Sequence, residues 1–312
     1  MSGGARTGGT RTSGTPTGGT APGGTGPGGT APGITAPGGA ELRIEGLSVA
    51  LSGRAVIRDL SFTVAAGEIV TVLGPSGCGK STLLRVLAGL QPASSGAVLV
   101  GGTPVTGPDA SRAMAFQDDA LLPWRSVRRN VELPLQLQGV GRAERRARAE
   151  ALLASVGMAD SAQLLPKQLS GGMRQRAQIA RTLVSDPRVV LMDEPFSALD
   201  VHSRRAAQDV LLEQWGRSRP TVVFVTHDVD EAVRLGQRVL VLSAGPASIA
   251  LERRRPEPTG ADHADRLRAH AADLTRALAA RPAPDGRPAP DGRPAPDGRP
   301  APDGAPAPSE KR

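Results

Sequence analysis

The chain contains no tyrosine, and its two tryptophans and four phenylalanines make up only 2% of 312 residues. Surfaces that hold single-stranded nucleic acid interleave basic groups with rings on which bases stack. That scarcity, with no basic run carrying rings between its charges, argues against nucleic acid as a partner despite a formal net charge of +8. The charge is also thinly spread: Arg6 and Arg11 stand in an N-terminal stretch without acids, while residues 256–312 balance nine basic groups with nine acidic ones. The densest cluster, Arg145, Arg146 and Arg148, is flanked by Glu144 and Glu150. It reads as a solvated helix face, with an approach to anionic lipid as the weaker alternative.

A single cysteine, Cys78, excludes an internal disulfide, which suits a reducing compartment. No segment reaches the roughly 18 consecutive apolar residues of a membrane span, and the N-terminus carries no apolar signal core. The expectation is a protein of the cytoplasm unless a partner tethers it. The ends are poor in apolar residues too. Residues 1–40 are almost wholly Gly, Thr, Pro, Ala and Ser, and residues 281–304 are four copies of Arg-Pro-Ala-Pro-Asp-Gly. Such composition offers too little apolar surface to offset ordering entropy, so disorder is expected in both. A folded core over 41–255 is left, followed by a tail over 256–312. Within that tail Leu267, Ala271, Leu274 and Leu278 recur at helical spacing, predicting a weak helix over 261–280.

What the core does contain is a phosphate-binding pattern. The apolar run Ile69–Leu73 breaks into Gly74, Pro75, Ser76, Gly77, Cys78, Gly79, Lys80, Ser81 and Thr82, and Leu83, Leu84, Leu87 and Leu90 then recur at helical spacing. A strand, a glycine-rich loop and a helix in that order aim backbone N–H groups and the positive end of the helix at anionic oxygens. In that arrangement Lys80 contacts the β and γ phosphates and the Ser81 hydroxyl ligates Mg²⁺. A glycine-rich turn before a helix also occurs as a purely structural feature. Cys78 fills a variable loop position, and nothing in the sequence lowers its pKa for redox work.

Around this loop the chain reads as a hairpin over 42–64, short strands at 97–100 and 114–116, helices from about 126, and strands at 189–192, 221–225 and 239–242. Strands alternating with helices imply a mainly parallel sheet with ligands at its carboxyl ends. Gln117, Asp193 and His227 all follow predicted strands, as Lys80 does. Adjacent acids ending an apolar strand are costly without a cation nearby. Beside a phosphate loop, Asp193 holds Mg²⁺ and Glu194 polarises the attacking water, the alternative being solvated charges at a strand end. His227 is either structural or a sensor of the γ-phosphate. Ser170, Gly171 and Gly172 stand where a cap and free N–H groups open a helix, by themselves an ordinary feature.

In this order the residues resemble the ATP-binding-cassette ATPases over about residues 42–250. Walker A is Gly74–Ser81, the glutamine loop is at Gln117, and the signature is Leu169-Ser170-Gly171-Gly172-Met173-Arg174-Gln175-Arg176. Walker B ends at Asp193 and Glu194, the D-loop is Ser197-Ala198-Leu199-Asp200, and the switch histidine is His227. The resemblance implies an α/β P-loop NTPase fold: a RecA-like core, an antiparallel β subdomain, and a helical signature subdomain over about 118–185. It implies ATP and Mg²⁺ as cofactors, with Gln117 joining Ser81 and Asp193 around the metal and Glu194, His227 and Gln117 serving hydrolysis. It also implies a homodimer of cassettes in which Ser170, Gly171, Gly172 and Met173 of one copy meet the ATP of the other. Where the family usually has an adenine-stacking aromatic in the first hairpin, this chain has Leu51.

The run Phe116-Gln117-Asp118-Asp119-Ala120-Leu121-Leu122-Pro123-Trp124 is similar to the cassettes of nitrate, sulfonate and taurine importers. There this loop meets the membrane subunit, with a packing role the alternative for Trp124. The implied function is the ATP-hydrolysing subunit of an importer of a small solute such as nitrate, sulfonate or taurine, at the cytoplasmic side of the membrane. Its implied partners are an ABC permease and a periplasmic or lipid-anchored solute-binding protein. A soluble cassette acting on nucleic acid or ribosomes is the alternative, carried only by the basic charge.

Overall fold

The structure, a computed structural model, describes residues 38–256 and 263–279. The disorder expected of residues 1–37 and of the four six-residue repeats lies outside the described residues. Strands β1 (Leu42–Leu51) and β2 (Arg54–Val64) form an antiparallel hairpin. Leu42, Ile44, Leu47 and Val49 alternate inward, while Ser52 and Gly53 turn the chain with φ of 49° and 79°. Two positive-φ residues are what a tight hairpin connection requires, because its twist matches that of the strands it joins. The chain continues through β3 (Ile69–Leu73), α1 (Lys80–Leu87), β4 (Ser95–Val100), β5 (Thr103–Pro104) and β6 (Arg112–Ala115). Four helices follow, α2 (Val127–Val131), α3 (Leu133–Leu137), α4 (Arg142–Ser155) and α5 (Gly171–Leu183). After them come β7 (Val189–Asp193), α6 (Val201–Ser218), β8 (Thr221–Thr226), α7 (Val229–Leu235), β9 (Arg238–Leu242), β10 (Ile249–Arg254) and α8 (His263–Ala279).

These strands make two sheets. One is antiparallel, in the order β2-β1-β4-β5; the other runs β10-β9-β3-β8-β7-β6. In the second sheet β9, β3, β8, β7 and β6 are parallel and β10 caps the edge antiparallel. Every residue of β3, β7, β8 and β9 is buried, as expected for strands covered on both faces. The pairings of Leu73 with Thr226 and of Asp193 with Val225 bring the carboxyl ends of β3, β7 and β8 side by side. A ligand bound there meets residues from three separate segments.

A cluster including Leu47, Leu60, Leu84 and Leu191 joins the antiparallel sheet, α1 and one side of the parallel sheet. Helices α2, α3, α4 and α5 share their own core of Val127, Val131, Leu135, Leu153 and Ala177. On the parallel sheet, α8 packs on α7, β9 and β10, with Leu274 fully buried beside Val239 and Val241.

Two local differences from the sequence reading have physical reasons. Residues 38–40, counted with the polar N-terminal stretch, are seated on the sheet: Gly39 donates to Arg219 O, and Ala40 is buried and accepts from Thr221 Oγ1 at 2.6 Å. A Cβ on Gly39 would lie 2.4 Å from the Gly67 nitrogen, so only glycine fits there. Strand β10 was not anticipated because Glu252, Arg253 and Arg254 break apolar alternation, which an edge strand tolerates on its solvent side.

Candidate nucleotide site

The loop after β3 is shaped by backbone that only glycine adopts freely. Gly77 and Gly79 have φ of 79° and 110°, and a Cβ on Gly74 would lie 2.7 Å from the Cys78 sulfur. Pro75 accepts from the Cys78 N–H, Ser76 and Gly77 are exposed, and Cys78 is buried beneath them, where desolvation raises its thiol pKa. That thiol is a packing group. Gly79 opens α1 with no side-chain cap, so the first-turn N–H groups at Lys80, Ser81 and Thr82 have no side-chain acceptor. Lys80 is 5% exposed and its ammonium donates to the carbonyls of Gly74 at 2.7 Å and Pro75 at 3.1 Å. A buried cation surrounded by loop N–H groups makes a cradle for an anion.

Opposite the loop, the last residue of β7 is Asp193. The Ser81 hydroxyl donates to its Oδ1 at 3.1 Å, and burial raises its pKa against the opposing pull of that bond and of Arg85 and Lys80. Glu194 follows with φ of 44°, a left-handed conformation unusual for glutamate, held by its N–H donating to Val225 O at 3.0 Å. Strain of that kind persists where the surroundings impose it, and it points one carboxylate in two directions. Glu194 Oε1 lies 3.6 Å from Lys80 Nζ and Oε2 lies 2.8 Å from His227 Nδ1. The imidazole of His227 is itself mostly exposed. Lys80, Ser81, Asp193, Glu194 and His227 therefore form one constellation.

A hydroxyl and a carboxylate at hydrogen-bond distance are hard oxygen donors, suited to Mg²⁺ rather than to a soft metal. Among the described residues no group of three or more His, Cys, Asp or Glu forms an all-protein metal cage. That fits an ion that keeps waters and takes further oxygens from a bound phosphate. The donor set thus accommodates Mg²⁺ at Ser81 and Asp193.

Other predicted residues lie apart from this constellation. Gln117 is exposed, and its side chain makes no hydrogen bond to it among the described residues. Its loop is instead gripped by α5: Gln178 Nε2 donates to the carbonyls of Phe116 and Asp118, Arg181 donates to those of Asp119 and Ala120, and Arg174 pairs with Asp119 at 3.0 Å. Ser170 is exposed and caps α5 by accepting from the Met173 N–H at 3.3 Å. Beyond it, a Cβ on Gly171 would touch Leu199 and one on Gly172 would touch Ser203, so α5 begins beside the Ser197–Asp200 turn. No hydrogen bond or ion pair joins Ser170, Gly171, Gly172 or Met173 to Lys80, Asp193 or Glu194 among the described residues.

Sequence reading missed a buried polar network behind His227. Arg204 of α6 pairs with Asp228 at 3.1 Å and approaches Glu231 at 3.8 Å, and Glu231 accepts from the Thr226 hydroxyl at 2.6 Å and from Gln208 at 3.3 Å. Asp200 caps α6, taking the N–H groups of His202 and Ser203. The turn after Glu194 and the turn carrying His227 are thus joined through one helix. The signal was present as polar residues, Arg204, Gln208 and Glu231, at positions where helical periodicity calls for core.

Comparison with known proteins agrees with this geometry. The family model described as ABC transporter matches residues 57–197. A taurine import ATP-binding protein, TauB, of Yersinia pestis is 45% identical over 208 residues, 67% of this chain and 82% of that protein. An uncharacterized ABC transporter ATP-binding protein of Methanocaldococcus jannaschii is 46% identical over 213 residues, 67% of this chain and 80% of that protein. Among solved structures, a dimeric post-hydrolysis state of the ATP-binding cassette MJ0796 bound to ADP and Pi superposes with a TM-score of 0.61 at 27% identity. The match covers 69% of this chain and 99% of that one. With its parallel core, antiparallel sheet and helical region, the chain belongs to the ATP-binding-cassette family of ABC transporters and is an ATPase of that family.

Proposed function

We propose that this chain is the energising subunit of an importer for a small solute such as taurine, another sulfonate or nitrate. The observation that carries it is the shared reach of Glu194, 2.8 Å from His227 and 3.6 Å from Lys80, next to the Ser81–Asp193 pair. Lys80 and the N–H groups of Gly74–Thr82 bind and orient the triphosphate. Mg²⁺, held by Ser81 and Asp193 with Gln117 from the neighbouring loop, would neutralise charge on the phosphate oxygens. Glu194 orients and polarises the attacking water, and His227, hydrogen-bonded to it, senses the terminal phosphate. Ser170, Gly171, Gly172 and Met173 serve the site of a second copy, where the exposed start of α5 offers its N–H groups to the phosphates.

Two copies thus close on ATP and part after hydrolysis, and that motion is passed to a permease at the cytoplasmic face of the membrane. The loop 116–124 is the coupling surface, with Trp124 73% exposed. No helix among the described residues is long and apolar enough to cross a membrane, so the permease supplies the spans. A solute-binding protein outside the membrane delivers the solute. The names of the TauB relatives support a sulfonate cargo. The test is Glu194→Gln in the purified protein with Mg²⁺. It should bind ATP and elute as a dimer while turnover falls by about 100-fold or more. Unchanged turnover would remove Glu194 from its role, and failure to pull down any co-expressed permease would end the importer assignment.

A further inference from the structure

Helix α8 lies beyond residues 57–197, the stretch that the family model matches, and it is the last element among the described residues. It packs on α7, β9 and β10. Leu274 is fully buried there against Leu73, Ala232, Val239 and Val241, and Ala277 packs beside them. Two of these contacts lead back to the nucleotide site. Leu73 is the last residue before Gly74, and Ala232 belongs to the helix that opens two residues after His227. Helix α7 is thus held from two sides, by α8 through Val229, Ala232 and Val233, and by Thr226 and Gln208 through Glu231.

His270 stands one turn before Leu274, on the same face of α8. It is 6% exposed, and its Nε2 has no hydrogen-bond partner among the described residues. A neutral imidazole can be buried that way, but a protonated one would be a cation with a donor and no acceptor. The charges around it do not offset that cost. Asp273, on α8 itself, is engaged by Arg276 and lies 4.0 Å from Arg253 of β10. Arg255 adds a second cation, fixed by donating to the Arg234 carbonyl of α7 at 3.1 Å. The other charged groups of the packed elements are paired elsewhere or exposed. Arg234 holds Asp209 at 2.6 Å, Glu231 takes the Thr226 hydroxyl, Arg238 of β9 holds Glu68 and Glu252, and Asp230 and Arg254 face solvent. Burial accordingly holds His270 below its ordinary pKa of 6.5, with Asp273 opposing and Arg253 and Arg255 reinforcing the shift.

We propose that α8 is an acid-released clamp: with His270 neutral it stays docked and steadies α7, and protonation of His270 frees it from the sheet. An undocked α8 puts the imidazole in water, where it takes up a proton at its ordinary value of 6.5, whereas the docked helix must do without that proton or bury a cation. Docking is therefore at full strength well above that value. Below it, each unit of pH weakens the docking equilibrium by up to about tenfold, until the lower docked-state value is reached. Because α7 begins beside His227, releasing α8 also slackens the turn that holds His227 at 2.8 Å from Glu194, and this second step rests on the function proposed above. Acid then slows ATP turnover through a helix outside the nucleotide site.

The test is amide hydrogen exchange of the full chain at about pH 7.5 and about pH 5.5, corrected for the intrinsic pH dependence of exchange. Acid should speed exchange in α8 and the turns of α7 that face it by about tenfold, while β3 and β8 keep their protection. His270→Leu fills the same space and cannot titrate, so its α8 should be protected alike at both values, and His270→Gln serves if leucine disturbs the packing. The clamp is overturned if wild-type α8 exchanges alike at both values, or if both His270 variants lose protection in acid as the wild type does. Exchange needs no turnover, so that result stands apart from the role of His227. The link to turnover is read at about pH 7.5, where Leu274→Ser should release α8 and lower kcat by about threefold or more with ATP binding kept. Ala277→Glu, at the edge of the same contact, should act alike. Unchanged kcat in a variant whose α8 is released would overturn the link, whereas full turnover in His227→Ala would sink the reading of His227 and leave the clamp standing.

Discussion

At the carboxyl ends of β3, β7 and β8 the polar groups find partners within the chain, whereas the start of α5 faces outward with partners only in its own first turn. Lys80, Ser81, Asp193, Glu194 and His227 are linked by contacts of 2.8–3.6 Å. Among the described residues the Ser170 hydroxyl has only the Met173 N–H as a hydrogen-bond partner. Both regions present N–H groups at a helix N-terminus, so both suit an anion. The difference is that the sheet supplies a cation and carboxylates, and the helical region supplies no charge at Ser170–Met173. On the function proposed above, the first region is a site and the second is half of one, for which a second copy would supply what it lacks.

That comparison is most directly broken by mixing two inactive proteins. Lys80→Ala removes the cation from the sheet side and Ser170→Arg blocks the start of α5, and each alone should cut ATP turnover by about 100-fold or more. If the two regions meet only between copies, an equimolar mixture recovers about a quarter of wild-type turnover. Half the dimers are then hybrids, each with one intact interface site out of two. Phosphate release from the mixture, with hybrid formation verified by differently tagged chains, reads this out. No recovery in verified hybrids would mean that Ser170 and Lys80 serve the same copy.

Stability separates the regions next. Phe224 is fully buried in the middle of the parallel sheet against Phe196, and Phe224→Ala should cost about 3–5 kcal/mol and lower the whole melting transition. Leu135→Ala, in the separate core of α2, α3, α4 and α5, should cost about 2–5 kcal/mol. Its effect is more local: amide exchange should quicken in α2–α5 while β3, β7 and β8 stay protected. Equal loss of protection in both regions under Leu135→Ala would show that the helical core has no independent cooperativity. Smaller again is Arg174→Ala. Its pair with Asp119 is roughly one-third exposed on each side, so stability should fall by less than about 1 kcal/mol. Exchange at Gln117–Ala120 should still rise, because one of the three α5 side chains gripping that loop is gone.

How much of this was legible beforehand follows the same division. Groups whose chemistry depends on the order of residues along one strand and its loop, such as Gly74–Thr82 after β3 or Asp193–Glu194 after β7, could be read because the strand signal and the motif are contiguous. The sheet order could not be spelled out residue by residue, since β3 pairs with β8 and β9 across more than 140 positions. Nor could the grip of Gln178 and Arg181 on the loop 116–120, because a polar residue on a helix face looks alike whether it meets solvent or a distant carbonyl. The buried Arg238–Glu68 pair, at 2.9 Å and 170 residues apart, was invisible for the same reason.

The smallest expected effect tests what the sheet side pays for its closeness. Glu231 is 5% exposed behind His227, and burial raises its pKa above the ordinary value of 4.5 in spite of the Thr226 hydroxyl and Arg204. Below the ordinary value both folded and unfolded states hold the proton, and the group contributes no pH dependence. As pH rises from there to the raised native value, the unfolded chain gives up the proton first, so stability falls with pH across that window and levels off above it. Glu231→Gln keeps an acceptor for Thr226 and removes the titration. Its melting temperature relative to wild type should therefore climb through the window and be constant on either side. A difference that stays flat throughout would mean that Arg204 holds the carboxylate ionised at no cost. The polar network behind His227 would then be as relaxed as the exposed start of α5.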